Sequence, residues 1–355
     1  MRLLAAAYLI GLVLVGVAAC GPATPAEPQL AEELNIYNWE EYFGETTLAD
    51  FEEEYGVKVN LHTFEDEEEG VAAIQSDPSA YDLVVVSDSE IPALVEMNAL
   101  APVEHSNIPN LANLYPRFSS PPWDPDLQYS VPYLWGTTGL AVNREFLPEE
   151  VSSWGVLFDP RFRGHVAMLN NVWEVMGAAL RYQGHSMNTH DRDAINSAAD
   201  LLSQQVPLLV GYMQPIDLRD ALIAGDVWVA QEYSGEAFQA ADSNENVEYI
   251  IPDEGAPVWL DSFVLPVDSP SKYTAEVFLN YVLRPEVNAQ IVNDLWYATA
   301  NEAAEPYIDE EILADPAIYP SPDVMSRLEF WEENLPLIST YNRIWSDLQA
   351  ELEDE

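Results

Sequence analysis

The stretch Tyr81–Val86 (YDLVVV) constrains the fold of this chain more than any other. It is an almost continuous apolar run that ends at Ser87, and such a run is typical of a strand buried on both faces in the middle of a parallel sheet. Leu34–Trp39 and Val57–Phe64 also have the pattern of strands, and segments with helical periodicity separate the three. This alternation predicts an open α/β sheet, in which ligands bind beyond the carboxyl ends of the strands.

A second set of strands and helices follows from Tyr129 onward. With 355 residues, the chain is long enough for two domains, each with a core of its own. We expect this set to form another α/β body, completed by C-terminal helices. The further predicted strands are Thr138–Val142, Leu208–Met213, Val227–Tyr233, Val247–Ile251 and Asp261–Pro266, and the predicted helices include Ile91–Leu100, Val172–Gln183, Arg192–Gln205, Leu218–Ala224, Thr274–Leu295 (broken at Arg284-Pro285), Ser321–Glu333 and Tyr341–Glu353.

The N-terminus has the pattern of a targeting segment. A positively charged start and an apolar run lead to Val17-Ala18-Ala19-Cys20, which resembles the lipobox of bacterial lipoproteins. We expect residues 1–19 to be a signal peptide, Cys20 to be lipidated after cleavage, and residues 20–33 to tether the folded body. An ordinary secretory signal that happens to contain a cysteine is the alternative.

The chain is strongly acidic. Its 61 Asp and Glu side chains face 13 Lys and Arg, which gives a formal net charge of -48. A field of this sign repels nucleic acid and anionic membrane surfaces, so neither is an expected partner. A cationic ligand explains a few acids in one cleft, whereas a surplus over the whole chain suggests a protein adapted to high salt, where screening weakens self-repulsion.

Trp259 and Asp261 are the first pair of residues that suggests a ligand. They stand two apart at a predicted strand, so an extended backbone directs both side chains to one face. An indole face and a carboxylate side by side suit an organic cation. When the pair is taken alone, a half-buried tryptophan beside a solvated aspartate is the better explanation.

Further motifs in order along the chain change that balance. They are IYNWEEY (Ile36–Tyr42), YDLVVVS (Tyr81–Ser87), YSVPYLWGTTG (Tyr129–Gly139), VWLDSFVLP (Val258–Pro266), NYVLRPEV (Asn280–Val287), WYATANEAA (Trp296–Ala304) and IYPSPDV (Ile318–Val324). In these motifs the chain resembles the polyamine-binding proteins (spermidine/putrescine type) of bacterial ABC importers. The resemblance implies a two-lobed periplasmic-binding-protein fold, type II-like, in which each lobe is an open sheet flanked by helices and a hinge joins them. It places residues 34–132 and 261–303 in lobe 1, and residues 133–260 and 304–355 in lobe 2.

The resemblance also implies a set of ligand-binding residues. Two positions depart from the family pattern: Asn171 stands where triamine binders tend to have an acid, and Ser89 replaces an aromatic residue. Taken singly, Glu40, Glu41 and Glu332 are better explained as solvated side chains. The implied ligand-binding residues are Trp39, Glu40, Ser87, Glu174, Tyr233, Glu236, Trp259, Asp261, Tyr297 and Glu332.

The expected function is capture of a polyamine (putrescine or spermidine) between the lobes and its delivery to an ABC permease. We expect a lipid-anchored, extracytoplasmic monomer without cofactor or metal. An enzyme is disfavoured because the sequence has no HExxH or GxSxG motif and Cys20 is its only cysteine. A binding protein for another organic cation, such as a quaternary amine, and a receptor that signals through a membrane protein remain the alternatives.

Overall fold

The computed structural model describes residues 28–64, 67–332 and 335–354. The predicted signal peptide, Cys20 and the first part of the predicted tether lie outside the described residues. Within the described ranges, none of the helices combines the length and the apolar character needed to cross a membrane.

The described residues form strands and α-helices in an α/β arrangement. Gly56 ends the first helix with a left-handed backbone (φ 67°), a conformation that glycine adopts at little cost. The strands are β1 (Glu33–Trp39), β2 (Lys58–Phe64), β3 (Leu83–Ser87), β4 (Ser130–Asn143), β5 (Val166–Leu169), β6 (Leu209–Met213), β7 (Val229–Tyr233), β8 (Val247–Ile250), β9 (Val258–Val264) and β10 (Ala298–Thr299). The helices are α1 (Thr47–Tyr55), α2 (Glu67–Ser76), α3 (Ile91–Glu96), α4 (Val172–Tyr182), α5 (Arg192–Gln205), α6 (Pro215–Ala224), α7 (Ser234–Ser243), α8 (Lys272–Val282), α9 (Pro285–Leu295), α10 (Glu310–Ala314), α11 (Pro322–Met325) and α12 (Leu335–Glu353).

The first sheet contains β3, the strand predicted from the apolar run Tyr81–Val86. β1 pairs in parallel with β2 and β3, as the α/β alternation predicts. The other neighbour of β3 is β9, and that pairing is antiparallel, with Ser87 opposite Asp261. The prediction of a strand in the middle of a parallel sheet is therefore right for one side of β3 and wrong for the other.

β4 joins the first sheet to the second. Its residues from Ser130 to Thr137 pair with β9, and those from Thr138 to Val142 pair with β7. All fourteen of its residues are buried, because the strand lies between neighbours along its whole length. The predicted strand Thr138–Val142 is thus only the second half of a longer strand. β8 also pairs with β4, while β5 pairs in parallel with β6 and β7.

The apolar core forms clusters that do not divide between the two sheets. One large cluster packs on the first sheet, with Phe51 and Phe263, and continues to the second, with Ala230 of β7. Another packs the helices of the second half, including α4 and α5, against the C-terminal helix through Trp154 and Tyr341. The residue limits of the two lobes stay a prediction.

The predicted helix Ser321–Glu333 is wrong over most of its length. α11 covers only Pro322–Met325. The backbone of Glu329 instead bonds to Ala256 and Val258, and Glu329 forms a bridge with Pro257. These bonds satisfy the backbone in an extended form, which competes with the helix.

Candidate functional site

A cavity of about 800 Å³ lies between the two sheets, where strands of both end. Its walls come from the loops after β1 and β3, from β9, and from the starts of α4, α6 and α7. The structure brings all of the predicted site residues to this cavity: Trp39, Glu40, Ser87, Glu174, Tyr233, Glu236, Trp259, Asp261, Tyr297 and Glu332. Their contact with a ligand stays a prediction.

Three aromatic rings form the inner wall. Trp259 contacts Tyr233 edge-on at 5.7 Å between ring centroids, and Tyr297 at 5.4 Å. The indole lies directly over Gly136, where an added Cβ would meet the ring at 2.7 Å. The absence of a side chain at Gly136 therefore gives Trp259 its place, and the wall offers π faces to a cationic or methylene group.

Asp261 lies beside this wall and is 7% exposed. Its Oδ2 accepts a hydrogen bond of 2.7 Å from the hydroxyl of Tyr42. Burial raises the pKa of Asp261 to about 7, the Tyr42 hydrogen bond opposes the rise, and the negative charge of Glu67 adds to it. The carboxylate form is thus costly in the empty cavity, and a cation beside it would offset that cost.

Glu174 faces the cavity from the first turn of α4. Asn171 caps this helix by accepting the N–H groups of Trp173 and Glu174, so the departure from the family's acid at Asn171 has a structural role. Glu174 is 5% exposed, and its Oε2 is buried without a hydrogen-bond partner. Burial raises the pKa of Glu174 to about 7, while Thr138 and Trp331 lower it.

Glu236 differs from the other two carboxylates because it has a basic partner. Arg219 of α6 donates to its Oε2 at 3.0 Å and to Glu41 at 3.1 Å. Burial raises the pKa of Glu236 to about 7, although Arg219 lowers it. The charge of Glu236 is therefore largely balanced from within the protein.

The remaining predicted residues, apart from those of the aromatic wall, are half-buried or exposed. Trp39 packs on Phe64 with ring centroids 4.5 Å apart. The Ser87 hydroxyl lies 3.0 Å from that of Ser89. Glu40 and Glu332 are exposed at the rim, which agrees with the solvated character expected of each alone.

Sequence reasoning missed four acids that line the cavity: Glu67, Asp88, Glu90 and Asp217. Asp88 lines it directly after β3 and is 3% exposed. Glu67 begins α2, lines the cavity and accepts the N–H of Ser87 at 2.9 Å. The position of Asp88 immediately after a buried strand was the signal that pointed to it.

The described residues contain no group of three or more His, Cys, Asp or Glu side chains arranged to hold a metal ion. The chemistry of the cavity is instead that of buried carboxylates beside aromatic faces. Such a site binds organic cations by charge and π contact.

Comparison with known proteins assigns the chain to a family. Residues 46–320 match the family described as bacterial extracellular solute-binding protein. The putrescine-binding periplasmic protein PotF of Escherichia coli (strain K12) is 33% identical over 364 residues, which cover 97% of this chain and 98% of that protein.

Two solved structures have the same fold. The spermidine/putrescine ABC transporter substrate-binding protein PotD from Streptococcus pneumoniae has a TM-score of 0.79 and 28% identity, covering 91% of this chain and 100% of that chain. The TpPotD lipoprotein of Treponema pallidum has a TM-score of 0.80 and 26% identity, covering 89% and 99%. These likenesses confirm the predicted two-lobed α/β fold, and the relatives are binding proteins rather than enzymes, as expected. With three quarters of its length matched by the family model, the chain belongs to the bacterial extracellular solute-binding proteins.

Proposed function

We propose that this protein captures a polyamine in the cavity between its lobes and delivers it to an ABC importer. The observation that carries the proposal is the pairing of the Tyr233–Trp259–Tyr297 wall with buried carboxylates that have no basic partner. A flexible polyammonium chain needs carboxylates for its charged ends and aromatic faces for its methylene groups. Relatives named for putrescine and for spermidine/putrescine binding support the same ligand class.

A quaternary monocation fits the cavity less well. It carries one charge and would satisfy one carboxylate, whereas Asp261 and Glu174 both lie buried without an ion pair among the described residues. A buried acid left unpaired costs stability or takes up a proton. A ligand with ammonium groups at separated positions removes this cost at each of them.

The proposal is tested by thermal-shift measurements with putrescine, cadaverine, spermidine, spermine and choline. Ligand at about a hundred times its Kd stabilises the fold by about 2.7 kcal/mol, so polyamines should raise the melting temperature while choline at the same concentration does not. Mg²⁺ serves as the control for diffuse screening of the acidic surface. Equal shifts with Mg²⁺ and polyamines, or a shift with choline alone, would contradict the proposal.

The proposed location is the outer side of the cytoplasmic membrane, with the lipidated Cys20 as anchor. Its support is the sequence Val17–Cys20, the extracellular character of the family and a related structure that is a lipoprotein. Wild type should partition with membranes, and Cys20→Ser should release it or leave it unprocessed. A wholly soluble wild type with an unmodified N-terminus would rule out the anchor. The protein is proposed to act as a monomer that meets the permease through its two lobes.

A further inference from the structure

Asp88 is a buried acid that the implied ligand set does not include. It follows β3 directly, and its Oδ1 accepts the N–H of Leu260 on β9 at 2.9 Å. Its Oδ2 is buried without a hydrogen-bond partner, and the residue is 3% exposed. One oxygen therefore has a structural bond, while the other is buried and unpaired in a residue that lines the cavity.

The charges around Asp88 make this arrangement unfavourable in the empty protein. Ser87 pairs with Asp261 across β3 and β9, so Asp88 and Asp261 are carboxylates on neighbouring strands. Burial raises the pKa of Asp88 well above its ordinary value, and the negative charges of Asp261 and Glu67 raise it further. The hydrogen bond from the Leu260 N–H lowers this pKa but does not cancel the rise. In the described part of the chain, the ion pairs at the cavity involve Arg219 with Glu236 and Glu41, and none reaches Asp88.

The position of Asp88 leaves room for a longer ligand. Asp88 and Ser89 line both the main cavity and an adjoining cavity of about 650 Å³. The second cavity has aromatic walls that include Trp123 and Phe330, whose ring centroids lie 5.3 Å apart. Asp88 and Ser89 thus lie at the border of the two spaces, and the serine side chain there is small.

We propose that Asp88 binds a third ammonium group and thereby selects linear triamines over diamines. The inference rests on the proposed function and specifies its substrate class. Among the described residues that line the cavity, Asp88, Glu174 and Asp261 are buried carboxylates without an ion pair. They match the three positive charges that a triamine carries at neutral pH. A diamine would leave one of these carboxylates buried and unpaired, which is the costly state.

The test is a thermodynamic cycle of binding affinities, in which one charge is removed from the ligand and one from the protein. Spermidine is compared with N-butylputrescine, which has the same number of heavy atoms but a methyl group in place of the terminal ammonium. Wild type should bind spermidine at least about tenfold more tightly, and Asp88→Asn should abolish most of that preference, since a buried charge pair accounts for a tenfold or larger difference. Binding of putrescine should change by less than about threefold in the variant, because a diamine does not need this acid.

Asp88→Asn keeps an oxygen for the Leu260 N–H, and its melting temperature without ligand shows whether the fold is intact. Asp200→Asn, an exposed acid on α5, is the matched control and should leave every affinity unchanged. Equal binding of spermidine and N-butylputrescine by wild type, or equal weakening of putrescine and spermidine by Asp88→Asn, would overturn the inference and leave the proposed function standing. Failure of wild type to bind any of the three amines would remove the proposed function itself.

Discussion

Two carboxylates in the cavity have pKa values of about 7 but differ in what surrounds them. Glu236 on α7 is held by Arg219 at 3.0 Å. Asp261 on β9 is held by the neutral hydroxyl of Tyr42 at 2.7 Å. Burial raises both pKa values, yet among the described residues a protein cation pairs with Glu236 and none pairs with Asp261. The difference indicates that the Asp261 end is the one at which a ligand has to supply positive charge.

The largest effect should therefore come from Asp261→Asn. The change keeps the shape and removes the charge, so a bound ammonium group loses its buried partner. Truncation of one side of such a pair costs about 2–5 kcal/mol, or roughly thirty-fold to several thousand-fold in Kd. Titration calorimetry with the polyamine that gives the largest thermal shift measures this loss.

Asp200→Asn is the control for Asp261→Asn, because it removes the same charge from the exposed face of α5. Its effect on Kd should be small, since solvent screens a surface charge. If both variants weaken binding equally, the affinity is a diffuse effect of the acidic surface, and the comparison between the two ends of the cavity loses its meaning.

Trp259→Ala tests the aromatic wall beside Asp261. Removal of the indole takes away the face next to Tyr233 and Tyr297, and a cation over a desolvated ring contributes about 2 kcal/mol, or roughly thirty-fold in Kd. Trp259→Phe keeps an aromatic face and should recover most of the affinity in the same calorimetric assay. An alanine variant that is folded and binds like wild type would show that the ligand does not lie on this ring.

The cavity residues at strand ends could be predicted from sequence, and the partners of the acids could not. Trp39, Ser87 and Tyr233 stand at strand ends, and strand ends gather at one edge of a sheet. The contact between Arg219 and Glu236 depends on how α6 packs against α7, which local periodicity does not encode.

Long-range pairing was the other feature hidden from the sequence. Asp88 owes its burial to an antiparallel pairing of β3 with β9, and its contact with Leu260 joins residues 172 positions apart. The sequence pattern of neither strand specifies which strand pairs with it, because an apolar run is compatible with parallel and antiparallel neighbours alike. The motif order placed both strands near one site without giving their register.

The pH dependence of binding tests whether Asp261, at its end of the cavity, has to lose a proton when the ligand binds. Asp261 has a pKa of about 7 in the empty cavity, so about one tenth of it is ionised at pH 6 and about nine tenths at pH 8. Since the ligand binds the ionised form, this group alone should make binding about tenfold tighter at pH 8 than at pH 6. Calorimetry in buffers of different ionisation enthalpy should show proton release near pH 6.5. A pH-independent Kd without proton release would mean that Asp261 is ionised before the ligand arrives.

The free energy of unfolding of the empty protein should fall as the pH rises, whereas the affinity for the ligand should increase. The folded-state pKa values of Asp261 and Glu174 lie above their ordinary values of 3.8 and 4.5, so the folded state keeps protons that the unfolded chain has lost. Their contribution to the free energy of unfolding therefore falls as the pH rises from about 4 through 7. The ligand-induced rise in melting temperature should consequently be larger at pH 8 than at pH 6, and Asp261→Asn should reduce that difference.

The smallest effect should come from Glu236→Gln in the wild-type background. Arg219 already balances this carboxylate and keeps Glu41 as a second partner at 3.1 Å, so we expect about a threefold loss in Kd. In an Arg219→Gln background the same change should cost at least about tenfold, because Glu236 would then depend on the ligand for its cation. Calorimetry on the two single variants and the double variant gives this coupling. A loss in the wild-type background as large as that of Asp261→Asn would show that Arg219 does not neutralise Glu236, and the two ends of the cavity would then be equivalent.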